Sequence, residues 1–242
     1  MGSLIVITWI VIAVALVPAL IWAIAREARI RTESLGKVAA ELGLEFSATQ
    51  NEVLLKKLQD LPFFNLGHNR AMSNVMSAET DFADLAVFDY SFSTGGGQHI
   101  HNSSHTVFAM ISETLSLPVF SLRPEKFSDK IKELLGSQDI DFDDHPKFSK
   151  SYVLQGENEE AIRSFFDYQL LEIFSQRKGV FLESAPGVFM CLVPQHVMTQ
   201  DLTRGAQKKP EQIRELMEEG HLLYTAFADR LARQTSKDSS SK

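Results

Sequence analysis

The chain has 242 residues, 44% hydrophobic and 23% charged, enough apolar material to bury a core and to exclude a disordered protein. Its formal charge of -7 at pH 7 leaves no basic stripe to displace counterions from phosphates, which excludes nucleic acid as a partner. One cysteine, Cys191, excludes an internal disulfide framework and a thiolate zinc cluster.

The segment from Leu4 to Ala25 carries no ionisable side chain. At 1.5 Å per residue it makes a helix of about 33 Å, against a hydrocarbon layer about 30 Å thick. Residues 1–25 are therefore expected to form a transmembrane helix in contact with membrane lipid. Pro18 is tolerated in such a helix and is expected to kink it slightly. Trp9 and Trp22 lie about 20 Å apart along the axis. Trp22, next to the first charges, is the better interfacial anchor. A cleaved signal peptide would need a basic stretch ahead of a shorter apolar core, so the segment is expected to stay. Arg26, Arg29, Arg31 and Lys37 follow it, and the positive-inside bias puts the N-terminus outside and the large domain in the cytoplasm.

Residues 26–43 read as a helical stalk, with Leu35, Val38, Ala39 and Leu42 on one face and Gly43 at the end. Residues 44–235 read as one domain. A short helix is expected from Glu52 to Gln59, then strands at Ala71–Ala78 and Leu85–Phe92. The polar run STGGGQHIHNSS suits a hairpin tip, with His105–Ile111 returning. A strand at Pro118–Leu122 precedes a helix opened by Pro124, with Phe127, Ile131, Leu134 and Leu135 on one face. The run FSKSYVL reads as a strand, Glu157–Phe174 as a helix, and Val180–Glu183 with Val188–Val193 as a hairpin about Pro186-Gly187. A last amphipathic helix starts at Pro210, and residues 236–242 read as a disordered tail. Strands come in hairpins, so the class is α+β with a mainly antiparallel sheet and packed helices.

Two clusters have metal-ligand chemistry. His99 and His101 project from one face of an extended strand with Cα atoms about 7 Å apart, near enough to share a zinc ion, while His105 lies about 13 Å further on. The competing reading is a hairpin end whose histidines meet water. Asp139, Asp141, Asp143 and His145 crowd one acidic turn, but the glycine and glutamate of a calcium loop are missing, and a surface turn that bonds its own backbone competes with metal binding. Cys191 sits in an apolar run and reads as core. No nucleophile elbow, phosphate loop or dinucleotide fingerprint occurs, and no cofactor other than a divalent metal is suggested.

The run DIDFDDHPKFSKSYVLQGENEEAIRSFF, with AVFDYSF, HTVFAM and LPVFSLRPE upstream, resembles an uncharacterised bacterial family of single-pass membrane-anchored proteins. The resemblance spans roughly Phe46 to Phe174. It implies a bacterial inner membrane and carries over no catalytic residue. Two functions follow as expectations: a cytoplasmic module that binds a protein partner at the membrane, or a metal-dependent hydrolase in which the histidine hairpin folds over the acidic turn.

Overall fold

A computed structural model describes residues 2–80, 82–97, 99–125, 139–193 and 207–240, with the side chains of residues 2–8, 10–15 and 237–240 left out. The helix expected after Pro124 lies outside the described residues. α1 runs Gly2–Leu42 and continues through Pro18. It ends where Gly43 takes a φ of +70° and the Leu44 amide reaches the Ala39 carbonyl at 2.8 Å, a glycine-closed helix terminus.

Among the described residues eight strands form one antiparallel sheet. They are β1 (Glu45–Ser47), β2 (His68–Glu79), β3 (Asp84–Gly96), β4 (His99–Ile111), β5 (Phe120–Pro124), β6 (Tyr152–Gln155), β7 (Phe181–Ala185) and β8 (Val188–Leu192). Their spatial order is β1-β2-β3-β4-β8-β7-β5-β6. The class is thus α+β with an antiparallel sheet, as the hairpin pattern implies. β2 slips register twice against β3, and Asn69 and Asn74 stand at those slips with φ of 52°, a conformation asparagine tolerates better than most residues.

Helices cover both faces of the sheet, so β3 and β4 are apolar on both sides rather than alternating with solvent. On one face lie the C-terminal part of α1 together with α4 (Glu159–Phe165), α5 (Tyr168–Ser175) and the long α6 (Ile213–Ser240). Phe227 of α6 is the centre of that layer, its ring 5.5–5.9 Å from those of Phe120, Phe165, Phe166, Phe174 and Phe189. On the other face α2 (Glu52–Leu58), capped by Asn51, and a 3-10 turn at Pro62–Asn65 bring Leu54, Leu58, Phe63 and Phe64 onto the sheet. Most of the described phenylalanines are packing, while Phe82 is exposed.

Four expectations change. The helix read over Glu157–Phe174 is two, because Asp167 accepts the Leu170 amide at 3.1 Å and caps a new start. The strand FSKSYVL is instead a one-turn α3 (Pro146–Ser149), opened by Pro146, followed by β6. α6 continues to Ser240 where a disordered tail was expected from 236, since no glycine or proline stops it and Thr235 and Ser236 bond back to Leu231 and Ala232. Lastly, the stalk is a free rod only as far as Ile30. From Arg31 onward α1 packs on the sheet, with Leu35 and Ala39 fully buried.

Gly220 shows how closely α6 seats on the sheet, for a Cβ there would lie 2.5–2.7 Å from ring atoms of the buried Phe108. Alanine improves helix propensity by about 1 kcal/mol. Overpacking against an immobile ring costs about 1–3 kcal/mol. Gly220→Ala is therefore expected to lower the stability of the full chain in denaturant unfolding, and a stabilised variant would refute this seating.

Candidate functional site

The sequence-derived ligands are not brought together. His99 and His101 stand exposed at the far end of β4, opposite Gly96 and Thr94 of β3. His105, on the same face, is fully buried between Phe63 and Phe92, its ring 5.5 and 5.7 Å from theirs. Asp139, Asp141, Asp143 and His145 precede β6, and three strands (β8, β7 and β5) intervene between β4 and β6. At about 4.8 Å per strand that separation is about 19 Å, whereas ligands must lie near 2 Å from one ion. Among the described residues no group of three or more His, Cys, Asp and Glu side chains is placed to hold a metal. The hairpin does not fold over the acidic turn.

The acidic turn has a structural use instead. Asp139 accepts the Leu154 amide at 3.0 Å, and the Ile140 amide donates to the Leu154 carbonyl at 2.8 Å, so the turn edges β6 while Ile140 is buried. Burial pushes the Asp139 carboxyl up from its ordinary value, and the Leu154 amide opposes this. Asp141, Asp143 and Asp144 face solvent. His145 packs edge-on against Tyr168 with centroids 5.1 Å apart. Cys191 is fully buried, and burial pushes its thiol up, which keeps it unreactive.

Two polar clusters that the sequence reading passed over carry the chemistry of this fold. In the first, Arg31 of α1 reaches Asp89 of β3 through both arms of its guanidinium, Nε to Oδ2 at 2.8 Å and Nη2 to Oδ1 at 2.7 Å. Its Nη1 donates to the Lys208 carbonyl at 2.7 Å. Asn74 Nδ2 donates to Asp89 Oδ2 at 2.8 Å, and Thr106 Oγ1 to Oδ1 at 3.0 Å. Thr32 Oγ1 donates to Asn74 Oδ1 at 2.8 Å, and the Lys208 amide to Thr106 Oγ1 at 2.8 Å. Both carboxylate oxygens are thus occupied, and one network ties α1, β2, β3, β4 and the segment before α6. A detectable signal existed: Asp89 interrupts AVFDYSF on the face it shares with Val87, an acid within a strand apolar on both sides.

The second cluster crosses the other face of β6, β5 and β7. Gln155, Ser121 and Glu183 are register partners, and Arg123 beside them donates from Nη2 to Gln155 Oε1 at 3.1 Å. All four are buried. Glu183 Oε2 accepts the Phe63 amide at 2.9 Å, holding the 3-10 turn to the sheet. Burial pushes its pKa up to about 8, with the Phe63 amide and the Ser121 side chain pulling the other way.

Two expectations test these clusters. Truncating one partner of a buried pair strands the other charge and costs about 3–5 kcal/mol. Asp89→Ala is thus expected to unfold at far lower denaturant than Arg29→Ala, which breaks only the exposed Arg29–Glu33 pair of 2.8 Å. Equal midpoints would show the clamp to be inert. For Glu183, both states hold the proton below about pH 4.5, and the unfolded chain releases it first as pH rises. Stability contributed there falls between about pH 4.5 and 8, by a total on the order of 5 kcal/mol. Glu183→Gln is expected to melt like the parent at pH 5 and well above it at pH 8. A parallel pH dependence in both proteins would refute the assignment.

No family model and no curated protein matches the sequence. Among solved structures, the crystal structure of the mycobacterial trehalose monomycolate transport factor A, TtfA, is similar over 83% of this chain and 93% of that one, with a TM-score of 0.50 and 13% sequence identity. At that identity the likeness shows a shared α+β fold and nothing more.

Proposed function

We propose that the chain is a single-pass protein of the bacterial inner membrane whose cytoplasmic domain is a protein-interaction module. The observation that carries this is the continuity of α1. Leu16, Val17, Leu20, Ile21, Trp22 and Ile24 are more than half exposed around that helix, an apolar surface on all sides that water does not favour. Fifteen residues beyond Leu16 the same helix is locked to the sheet through Arg31. Among the described residues alone no helix is long and apolar enough to cross a membrane. The spanning role rests on the whole run Leu4–Ala25, with Pro18 inside it. Arg26, whose guanidinium lies 5.8 Å from the Trp22 ring, and Arg29 mark its cytoplasmic edge.

A binding role fits what the domain offers. Leu222 of α6 is exposed beside a shallow groove that Leu170, Ile173 and Ala226 line, with His221 and Arg233 at its rim, and Tyr168 is exposed at the start of α5. Tethering raises the effective concentration for a membrane partner, so modest affinity suffices. A photo-crosslinking residue in place of Leu222, activated in intact cell membranes, is expected to give one reproducible protein adduct, and the same probe in place of Glu157 none. Consistent absence of an adduct from both Leu222 and Tyr168 positions would count against the module.

A further inference from the structure

We propose that the tip of the β3–β4 hairpin rests on the lipid surface that α1 enters, with Ile100 lodged among the headgroups; this rests on the membrane-anchor reading above. The direction of α1 on the sheet comes first. Thr32 bonds to Asn74, Gly36 packs on the Phe46 ring opposite Met76, and past Gly43 the chain turns into Glu45 opposite Ser77. Successive turns of α1 therefore advance along β2 toward the β2–β3 turn. Traced backward toward Ala25, the helix heads for the opposite end of the sheet, where the β3–β4 turn lies.

Reach comes second. Gly96 is seven residues beyond Asp89 on β3, about 24 Å in extended chain. Ala25 is six residues before Arg31 on α1, about 9 Å along the helix. With α1 inclined by as much as about 45° to the strands, the tip still advances about 17 Å along the helix axis, past the level of Ala25. The tip then reaches the depth at which the apolar segment begins.

Chemistry comes third. Between Asp89 and Glu113 the chain has no Asp, Glu, Lys or Arg, in a protein with 31 acidic residues and a net charge of -7. The opposite end of the sheet carries Glu45, Glu79, Asp84 and Glu113. An acidic domain held against anionic headgroups is repelled wherever its own carboxylates face them, and the hairpin has none. Ile100, 51% exposed, points to the α1 side of the sheet, as Thr106 does. Position 95 needs glycine, because its φ is +82° and a Cβ there would sit 2.1 Å from the His99 carbonyl oxygen. A Cβ on Gly96 meets nothing within 4 Å, so packing does not demand glycine there. Three successive glycines, Gly95, Gly96 and Gly97, leave the β3 side of the tip thin enough to lie within the headgroup layer.

The test uses the full chain reconstituted in vesicles of phosphatidylethanolamine and phosphatidylglycerol, with a spin label on Ile100→Cys and, at the opposite end of the sheet, on Phe82→Cys. Both positions are exposed, and the native Cys191 is fully buried. The label at 100 is expected to be several-fold more accessible to oxygen, which partitions into lipid, and shielded from a water-soluble nickel chelate, relative to the label at 82. Equal accessibility at the two sites, or the reverse order, would overturn the proposal. Flotation of the same vesicles separates the two readings: protein that floats with a water-exposed label at 100 overturns only the hairpin placement, whereas protein left behind overturns the anchor as well.

Discussion

The bidentate contact between Arg31 and Asp89 fixes how every other part of this molecule is placed. A buried ion pair does not stabilise by Coulomb attraction alone, since taking both charges out of water costs several kcal/mol per ion. Here the cost is offset because no oxygen is left over: Oδ1 serves Arg31 and Thr106, and Oδ2 serves Arg31 and Asn74. Such a network specifies one arrangement. Rotating α1 by one residue would swing Arg31 off Asp89 and take Thr32 from Asn74, leaving buried polar atoms without partners. Leu35 and Ala39, one and two turns on, then enter the core at defined positions.

The second polar cluster does similar work on the opposite face with a different charge state. Glu183 is held neutral by burial at pH values where a surface carboxylate is ionised, and as a carboxylic acid it keeps its acceptor oxygen on the Phe63 amide. The 3-10 turn that follows α2 is thereby pinned to β7, at the other half of the sheet from the hairpin that α2 covers. One network joins α1 to the centre of the sheet and the other joins the opposite layer to it. The aromatic core between them, centred on Phe63 on one side and Phe227 on the other, is packed against fixed walls.

What was legible in the sequence was periodicity. The hairpins, the α+β class, the closure of α1 at Gly43, the apolar face of the last helix and the burial of Cys191 all followed from spacing and turn residues. What escaped was whatever depended on partners distant in the chain. Arg31 read as one of four juxtamembrane charges, because its partner is 58 residues away. Asp139, Asp141 and Asp143 left metal binding and a self-bonded surface turn both open because carboxylate density is visible locally, whereas the Leu154 amide that occupies Asp139 is 15 residues on. His105 completed a histidine pattern on paper, but Phe63, far upstream, makes its surroundings aromatic. The split at Asp167 was readable in principle, since aspartate before an apolar run is a helix cap, but the unbroken spacing of Ile162, Phe166, Leu170 and Ile173 masked it.

A tether made of helix has a consequence that a flexible linker lacks. A disordered linker lets its domain tumble, so every surface samples the membrane and none is favoured. α1 is one helix from Gly2 to Leu42, and its last three turns pack on the core through Leu35, Val38, Ala39 and Leu42. Under the membrane-anchor reading proposed above, any tilt of the apolar segment would be carried through Arg31 into the sheet, and one end of the sheet would face the membrane throughout. Charge follows that constraint: the acid-free hairpin lies at the end where α1 enters, and Glu45, Glu79, Asp84 and Glu113 lie at the other. With α1 fixed by the clamp, the groove beside Leu222 is held in a set position relative to the helix, which under the proposed reading would present it to a partner in one orientation. Removing the clamp would thus change more than stability, because α1 and the sheet would no longer be held in register.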